Sequence, residues 1–255
     1  MKGLEQYCIE RPTITYNEIE RDGQTRTQGG YSNKIVVDEN YVLHIPDNLP
    51  LDSAAPLLCA GITMYSPLQH WKAGHGKKVG IVGLGGLGHM GVKIAHALGA
   101  EVSVLSHSTR KQDEAEKMGA DKFYVASISS PTGQDTFEEL EGYFDLILNT
   151  LSVEIDWNRY LNLLALDGTM IVVGLPEKET PLSASPLINA RRSLAGSGIG
   201  GIKETQHMLD FCSNHNITSD IELISIQGVN EAYPRVVSSD VRYRFVIDTK
   251  SLDLG

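Results

Sequence analysis

The stretch KVGIVGLGGLGHMG, Lys78–Gly91, runs from an apolar strand-like segment through a glycine-rich turn into the start of a helix-like one. It sets Gly83, Gly85 and Gly88 in the spacing G-x-G-x-x-G. Each glycine answers a steric demand: Gly83 allows the tight turn, Gly85 lets backbone approach a pyrophosphate, and Gly88 lets the helix pack close to the strand. With Leu84, Gly86 and Leu87 they form one loop, whose N–H groups and the positive end of the helix dipole would hold an anion. A glycine-rich turn without a ligand is the alternative for a bare motif. Here a strand, the loop, a helix and a second strand follow in the order a dinucleotide site demands.

The pattern continues outward from that loop. EVSVLS (101–106), KFYVAS (122–127), FDLILNT (144–150) and GTMIVVGL (168–175) read as strands, with SLAGSGI (193–199) as a sixth. Between them GLGHMGVKIAHALG and RKQDEAEKMG read as helices ending at Gly99 and Gly119, EIDWNRYLNLLAL (154–166) as another, and KETQHMLDFCSNH (203–215) as the closing one. Such alternation predicts an α/β fold with a doubly wound parallel sheet. The flanks, GGYSNKIVVDENYVLHIP (29–46) and IELISIQGVNEAYPRVVSSDVRYRFVID (221–248), carry short extended runs and turn residues without regular helical periodicity. They predict a second, mostly β domain assembled from both ends: residues 1–55 and 217–255, around a nucleotide domain at 56–216.

Which dinucleotide binds depends on the end of the second strand, where NAD-binding folds carry an acid for the ribose 2′-hydroxyl. VLSHSTRK has none; Ser106, Ser108, Arg110 and Lys111 stand there instead. Hydroxyl donors and two cations suit a 2′-phosphate, so NADP is expected. For any one of these residues alone a helix cap (Ser108) or a solvated charge (Arg110, Lys111) is an equal alternative.

Composition narrows the partners. With 22 Lys and Arg against 32 Asp and Glu, a net charge of −10 opposes nucleic-acid binding. No apolar run is long enough to cross a bilayer, and no secretory signal opens the chain, so a cytoplasmic location is expected. Three cysteines, Cys8, Cys59 and Cys212, are too few and too scattered for a disulfide framework. Cys212 sits at helical spacing with Met208 and Phe211 and reads as core, whereas Cys59 on its own reads as an inert buried thiol. The eight histidines form no pair with metal-ligand spacing and read as surface or supporting residues.

LDSAAPLLCAGITMYSPLQHW (51–71) and GLGGLGHMGVKIA (83–95), together with EQYC, GGYS, IVV, GLP, DFCSNHNI and the terminal DVRYRFVID, resemble the cinnamyl alcohol dehydrogenase group of the zinc-dependent medium-chain alcohol dehydrogenases. The resemblance covers essentially the whole chain. It implies a Rossmann domain flanked by parts of a GroES-like, β-rich catalytic domain, a homodimer, and NADP-linked interconversion of a small alcohol and an aldehyde, with zinc polarising the oxygen. By the same resemblance Cys59 is a catalytic-zinc ligand, Thr63 contacts the cofactor, and Thr150, Gly174, Ser197 and Ile199 line its nicotinamide side. Gly198 departs from the family in lacking a larger side chain.

Cys8 resembles the fourth cysteine of the family's structural-zinc pattern C-x-x-C-x-x-C-x7-C, whose third would fall just before Met1. The family's other catalytic-zinc ligands, including a G-H-E segment, do not occur in the sequence. A catalytic zinc needs three protein ligands and a structural zinc four, so both zinc sites are expected to be incomplete in this chain. Two readings follow: an alcohol dehydrogenase whose sequence starts late, or a truncated, non-catalytic NADP-binding protein. A zinc-free quinone reductase of the same superfamily is a third, which needs neither Cys8 nor Cys59.

Overall fold

The computed structural model describes residues 3–10, 12–126 and 135–252. Helices α1 (Leu51–Ala54) and α2 (Ala60–His70) lead into strand β1 (Lys78–Val82) and helix α3 (Gly88–Ala97). Then come β2 (Glu101–Ser106), α4 (Gln112–Lys117), β3 (Lys122–Val125), α5 (Thr136–Glu139), β4 (Phe144–Asn149), α6 (Trp157–Asn162) and β5 (Leu164–Val172). The series closes with α7 (Ser185–Ile188), β6 (Ser193–Gly196), α8 (Ile202–His215), β7 (Ile221–Ser225), α9 (Val229–Val237) and β8 (Arg244–Asp248).

Strands β1 to β6 form one sheet in the order β3-β2-β1-β4-β5-β6, parallel at every junction. Right-handed crossovers cover such a sheet on both faces, which is why its inner strands are apolar almost throughout. Val79, Ile81, Val102, Val104, Ile147 and Leu148 are completely buried. One core lies under α2, α3 and α8 and the other under α6, around Phe144, Leu161 and Met170. The strand order reverses at the junction of β1 and β4, and the crevice beyond the carboxyl ends of these strands is where such folds take ligands.

Glycine ends the first helices as the sequence predicts: Gly99 and Gly119 adopt φ of +85° and +103° just past α3 and α4. Elsewhere the structure differs from the predicted elements. Arg110 and Lys111 belong to a 3₁₀ turn before α4 rather than to the helix. The predicted third strand stops at Val125, its last residue, Ser127, lying outside the described residues. The helix predicted over 154–166 is confined to Trp157–Asn162, and Leu164–Leu166 join β5 instead. There Leu164 pairs with Phe144, and Asp167, with φ of +64°, and Gly168 interrupt the register. Backbone pairing outweighs the helical periodicity of these leucines.

The flanks depart further. Residues 29–46 form no strand, only a 3₁₀ turn at Glu39–Tyr41, and before them a single bridge joins Ile19 to Arg26. An alternating apolar run becomes a strand only beside a strand that takes its hydrogen bonds, and no described strand pairs with this one; the His44 backbone is bonded by the Gln206 side chain of α8 instead. The C-terminal flank is a strand–helix–strand unit: β7 and β8 pair in parallel, with α9 as the crossover. The sequence predicts no helix at α9, because Pro234 and three valines obscure an i, i+3, i+4, i+7 stripe of Val229, Ala232, Tyr233 and Val236. Among the described residues no helix is long and apolar enough to cross a membrane.

Candidate functional site

A cleft of about 1280 Å³ opens at the carboxyl ends of β1, β2 and β4. Its lining includes Cys59, Gly83, Leu84, Gly85, Gly86, Leu87, Ser106, Ser108, Arg110, Lys111 and Thr150. Eleven residues expected from the sequence thus meet on one surface. Gly88 instead lies against the loop backbone, where a Cβ would come within 2.0 Å of Gly83 O. Gly83 has φ of +90°, while a Cβ at Gly85 would meet nothing within 4 Å, so the cradle is open at the position argued to face a pyrophosphate. The residues present fit a dinucleotide.

Thr63, Gly174, Ser197, Ile199 and Cys8 are not among the lining residues. Thr63 is buried in the first turn of α2, its N–H donating to Cys59 O at 3.1 Å. Gly174 follows β5 so closely packed that a Cβ would come within 2.2 Å of Leu151 O. Ser197 N–H donates to Val172 O at 3.1 Å, and Ile199, with φ of +39°, is exposed on the loop before α8. The N-terminal segment reaches this loop: Gly198 N–H donates to the Tyr7 hydroxyl at 2.9 Å, and Ile202 N–H to Glu5 Oε2 at 3.1 Å.

At the rim after β2, Ser106 is nearly buried, and Ser108 makes no side-chain capping bond, which removes the alternative role considered for it. Lys111 reaches across the cleft floor, Nζ donating to Leu84 O at 2.7 Å, and its burial, with Arg242 nearby, lowers the ammonium pKa. Thr150 Oγ1 donates to Val82 O at 2.8 Å, tying the end of β4 to the loop.

Two residues escaped the sequence reading. Arg244, at the start of β8, lies over the glycine loop with Nε donating to Gly86 O at 3.2 Å. Its signal is the spacing of Arg242 and Arg244, which share one face of an extended run. His89 is one of the supporting histidines the sequence allows, and it is fully buried. Nδ1 lies 3.1 Å from Gly85 O and Nε2 3.0 Å from Ser219 Oγ. Burial pushes its pKa down to about 4, so the ring is neutral near pH 7. A carbonyl can only accept, so Nδ1 carries the proton and Nε2 accepts from Ser219.

The thiols differ from one another. Cys59 and Cys8 are exposed, so Cys59 is not the buried thiol its bare sequence context suggests; Cys212 is buried, and its thiol pKa is pushed up to about 12. Among the described residues no three His, Cys, Asp or Glu side chains cluster as a metal site would require. The described residues therefore do not fit a zinc ion, and no chemical step is assigned to one.

A doubly wound sheet in the order 3-2-1-4-5-6, with a glycine cradle at its switch point, defines a dinucleotide-binding protein. Comparison with known proteins narrows the class. Residues 86–214 match the family model described as zinc-binding dehydrogenase. The chain is 59% identical over 251 residues to NADP-dependent alcohol dehydrogenase C 1 of Mycolicibacterium smegmatis, covering 98% of this chain and 70% of the relative. Among solved structures it resembles a cinnamyl alcohol dehydrogenase of Sorghum bicolor, with TM-score 0.90, 42% identity, and coverage of 96% of this chain and 69% of that one. It also resembles the CAD from Helicobacter pylori complexed with NADP(H), with TM-score 0.86, 42% identity and the same coverage. The chain belongs to the zinc-binding dehydrogenase family, whose members are oxidoreductases.

Proposed function

We propose that this chain binds NADP and serves the reversible interconversion of small alcohols and aldehydes. The observation that carries the reading is one continuous surface, from the open glycine cradle to Ser106, Ser108, Arg110 and Lys111, with no carboxylate at the end of β2. Bound there, the cofactor would donate or accept the hydride. The loop N–H groups would hold its pyrophosphate and Arg110 its 2′-phosphate, while Thr150, Gly174, Ser197 and Ile199, and Thr63 behind Cys59, would shape the nicotinamide side. Relatives named NADP-dependent alcohol dehydrogenase and aldehyde reductase support the same chemistry. Residues 56–216 act as the nucleotide domain, with 1–55 and 217–255 belonging to the catalytic one; a homodimer and a cytoplasmic location complete the reading.

Fluorescence titration with NADPH and NADH tests the cofactor. NADPH should bind at least about tenfold more tightly, and equal affinities would overturn the assignment. Cys59, standing without two further ligands among the described residues, favours a second reading, an NADP-binding protein without turnover. Zinc content and NADPH oxidation with an aromatic aldehyde separate the two: stoichiometric zinc and turnover support the enzyme, and nucleotide binding with neither supports the second reading.

A further inference from the structure

Three successive carbonyls of the glycine loop are each held by a side chain from a different part of the chain. Lys111, after β2, takes Leu84 O; His89, in the first turn of α3, takes Gly85 O twice, through its backbone N–H at 3.0 Å and its ring Nδ1 at 3.1 Å; and Arg244, opening β8, takes Gly86 O. The intervening peptides are trans, and in a trans peptide the C=O and the next N–H point in opposite directions. Turning these carbonyls toward side chains therefore turns the N–H groups of Gly85, Gly86 and Leu87 the other way. None of the three donates to an acceptor among the described residues.

Lys111 and Arg244 line the cleft and can also meet a ligand directly, whereas His89 is fully buried behind the loop. Its ring is fixed on every side. Gly85 O and Ser219 Oγ hold its two nitrogens, and Tyr243 stacks on its face at 5.0 Å between centroids with planes 10° apart. Ser219 is anchored in turn by its N–H to Ser53 O at 3.2 Å, and Tyr243 by its N–H to Asp220 O at 2.9 Å and its hydroxyl to Glu114. The stretch around β7 and β8 thereby sets the orientation of a loop more than one hundred residues earlier in the chain.

We infer that His89 is a positioning residue for the dinucleotide pyrophosphate, its Nδ1–H adding a second hold on Gly85 O beside the helical N–H, so that the Gly85–Gly86 peptide stays turned with the Gly86 N–H facing the bound phosphates. The inference rests on the proposed dinucleotide binding and adds to it a residue that never touches the ligand. The neutral ring suits the role, since it offers one donor to the loop and one acceptor to Ser219.

Dissociation constants for NADPH, NADH and 2′-AMP, on the unmodified chain and on His89→Asn, His89→Gln and His89→Leu, test it. Asparagine sets its amide near the place of ring Nδ1 and keeps the bond to Gly85 O, whereas glutamine reaches toward Ser219 instead. His89→Leu and His89→Gln should weaken both dinucleotides about tenfold, with 2′-AMP, which has no pyrophosphate, within about twofold of the unmodified chain; His89→Asn should restore most of the loss. Equal losses in Asn and Gln, parallel losses for 2′-AMP, or no loss in Leu would overturn the role. Should the leucine variant fail to fold, the Asn and Gln pair decides alone. If NADH binds as tightly as NADPH and 2′-AMP does not bind, the NADP assignment fails while His89 is still read from NADH. Failure of the unmodified chain to bind either dinucleotide overturns both.

Discussion

Two regions of this molecule are built from similar residues and end differently. Val79, Ile81, Ile147 and Leu148 in the six-stranded sheet are fully buried, while Ile35, Val36 and Val42 in the N-terminal segment are 73%, 101% and 60% exposed. Both stretches are rich in β-branched and aliphatic side chains suited to strands. Each inner strand of the sheet has a hydrogen-bonded strand on both sides, delivered by a crossover helix; residues 29–46 pair with no strand among the described residues. Apolar sequence supplies the tendency to be buried, and only a partner surface converts it into stability.

Substitutions of the same kind in both regions would break or sharpen that contrast. Ile147→Ala, in the middle of β4, should cost about 2–5 kcal/mol in urea unfolding, and a loss under about 1 kcal/mol would mean the sheet core is looser than its burial indicates. A pH series probes the polar part of the same core. His89 has a folded pKa of about 4 against 6.5 for a free histidine, so the unfolded chain takes the proton first. Stability from this group is therefore complete above pH 6.5 and falls toward pH 4, by about 3 kcal/mol in total. His89→Asn should flatten that part of the pH profile, and an unchanged profile would assign the slope to other groups.

Ser106→Asp puts a carboxylate where the 2′-phosphate is proposed to sit. It should shift the NADPH to NADH affinity ratio by about thirtyfold toward NADH, equivalent to about 2 kcal/mol. An unaltered ratio would move the 2′-phosphate away from the end of β2. The smallest effect belongs to the N-terminal segment: Val36→Ser, fully exposed, should change unfolding free energy by less than about 0.5 kcal/mol. A larger loss would reveal a covering surface and erase the contrast between the two regions.

The sheet was legible because its signals are local. The strand, G-x-G-x-x-G turn and helix are contiguous, and Gly99 and Gly119 mark helix ends by a conformation that glycine adopts without strain. Sequence reading failed where two signals competed. Leu164–Leu166 continue a helical stripe but are captured by pairing with β4, and the stripe of α9 is masked by Pro234 and its valines. At the site, the loop and the serines and cations after β2 could be named from sequence, whereas Arg244 and the buried His89 could not. Arg244 lies 158 positions from the carbonyl it holds, and no spacing rule spans that distance.

The sequence by itself determined the doubly wound fold, the position of the glycine loop and the residues at its rim, because each depends on sterics and charge within a few dozen neighbouring residues. Tertiary structure decided how the rest of that loop is held. Gly85 O is fixed locally, by the backbone N–H and ring of His89 in the first turn of α3, whereas Leu84 O and Gly86 O wait for Lys111 and Arg244 to pack against them. A peptide plane turns freely until something fixes its oxygen, and two of these oxygens are fixed by distant parts of the chain.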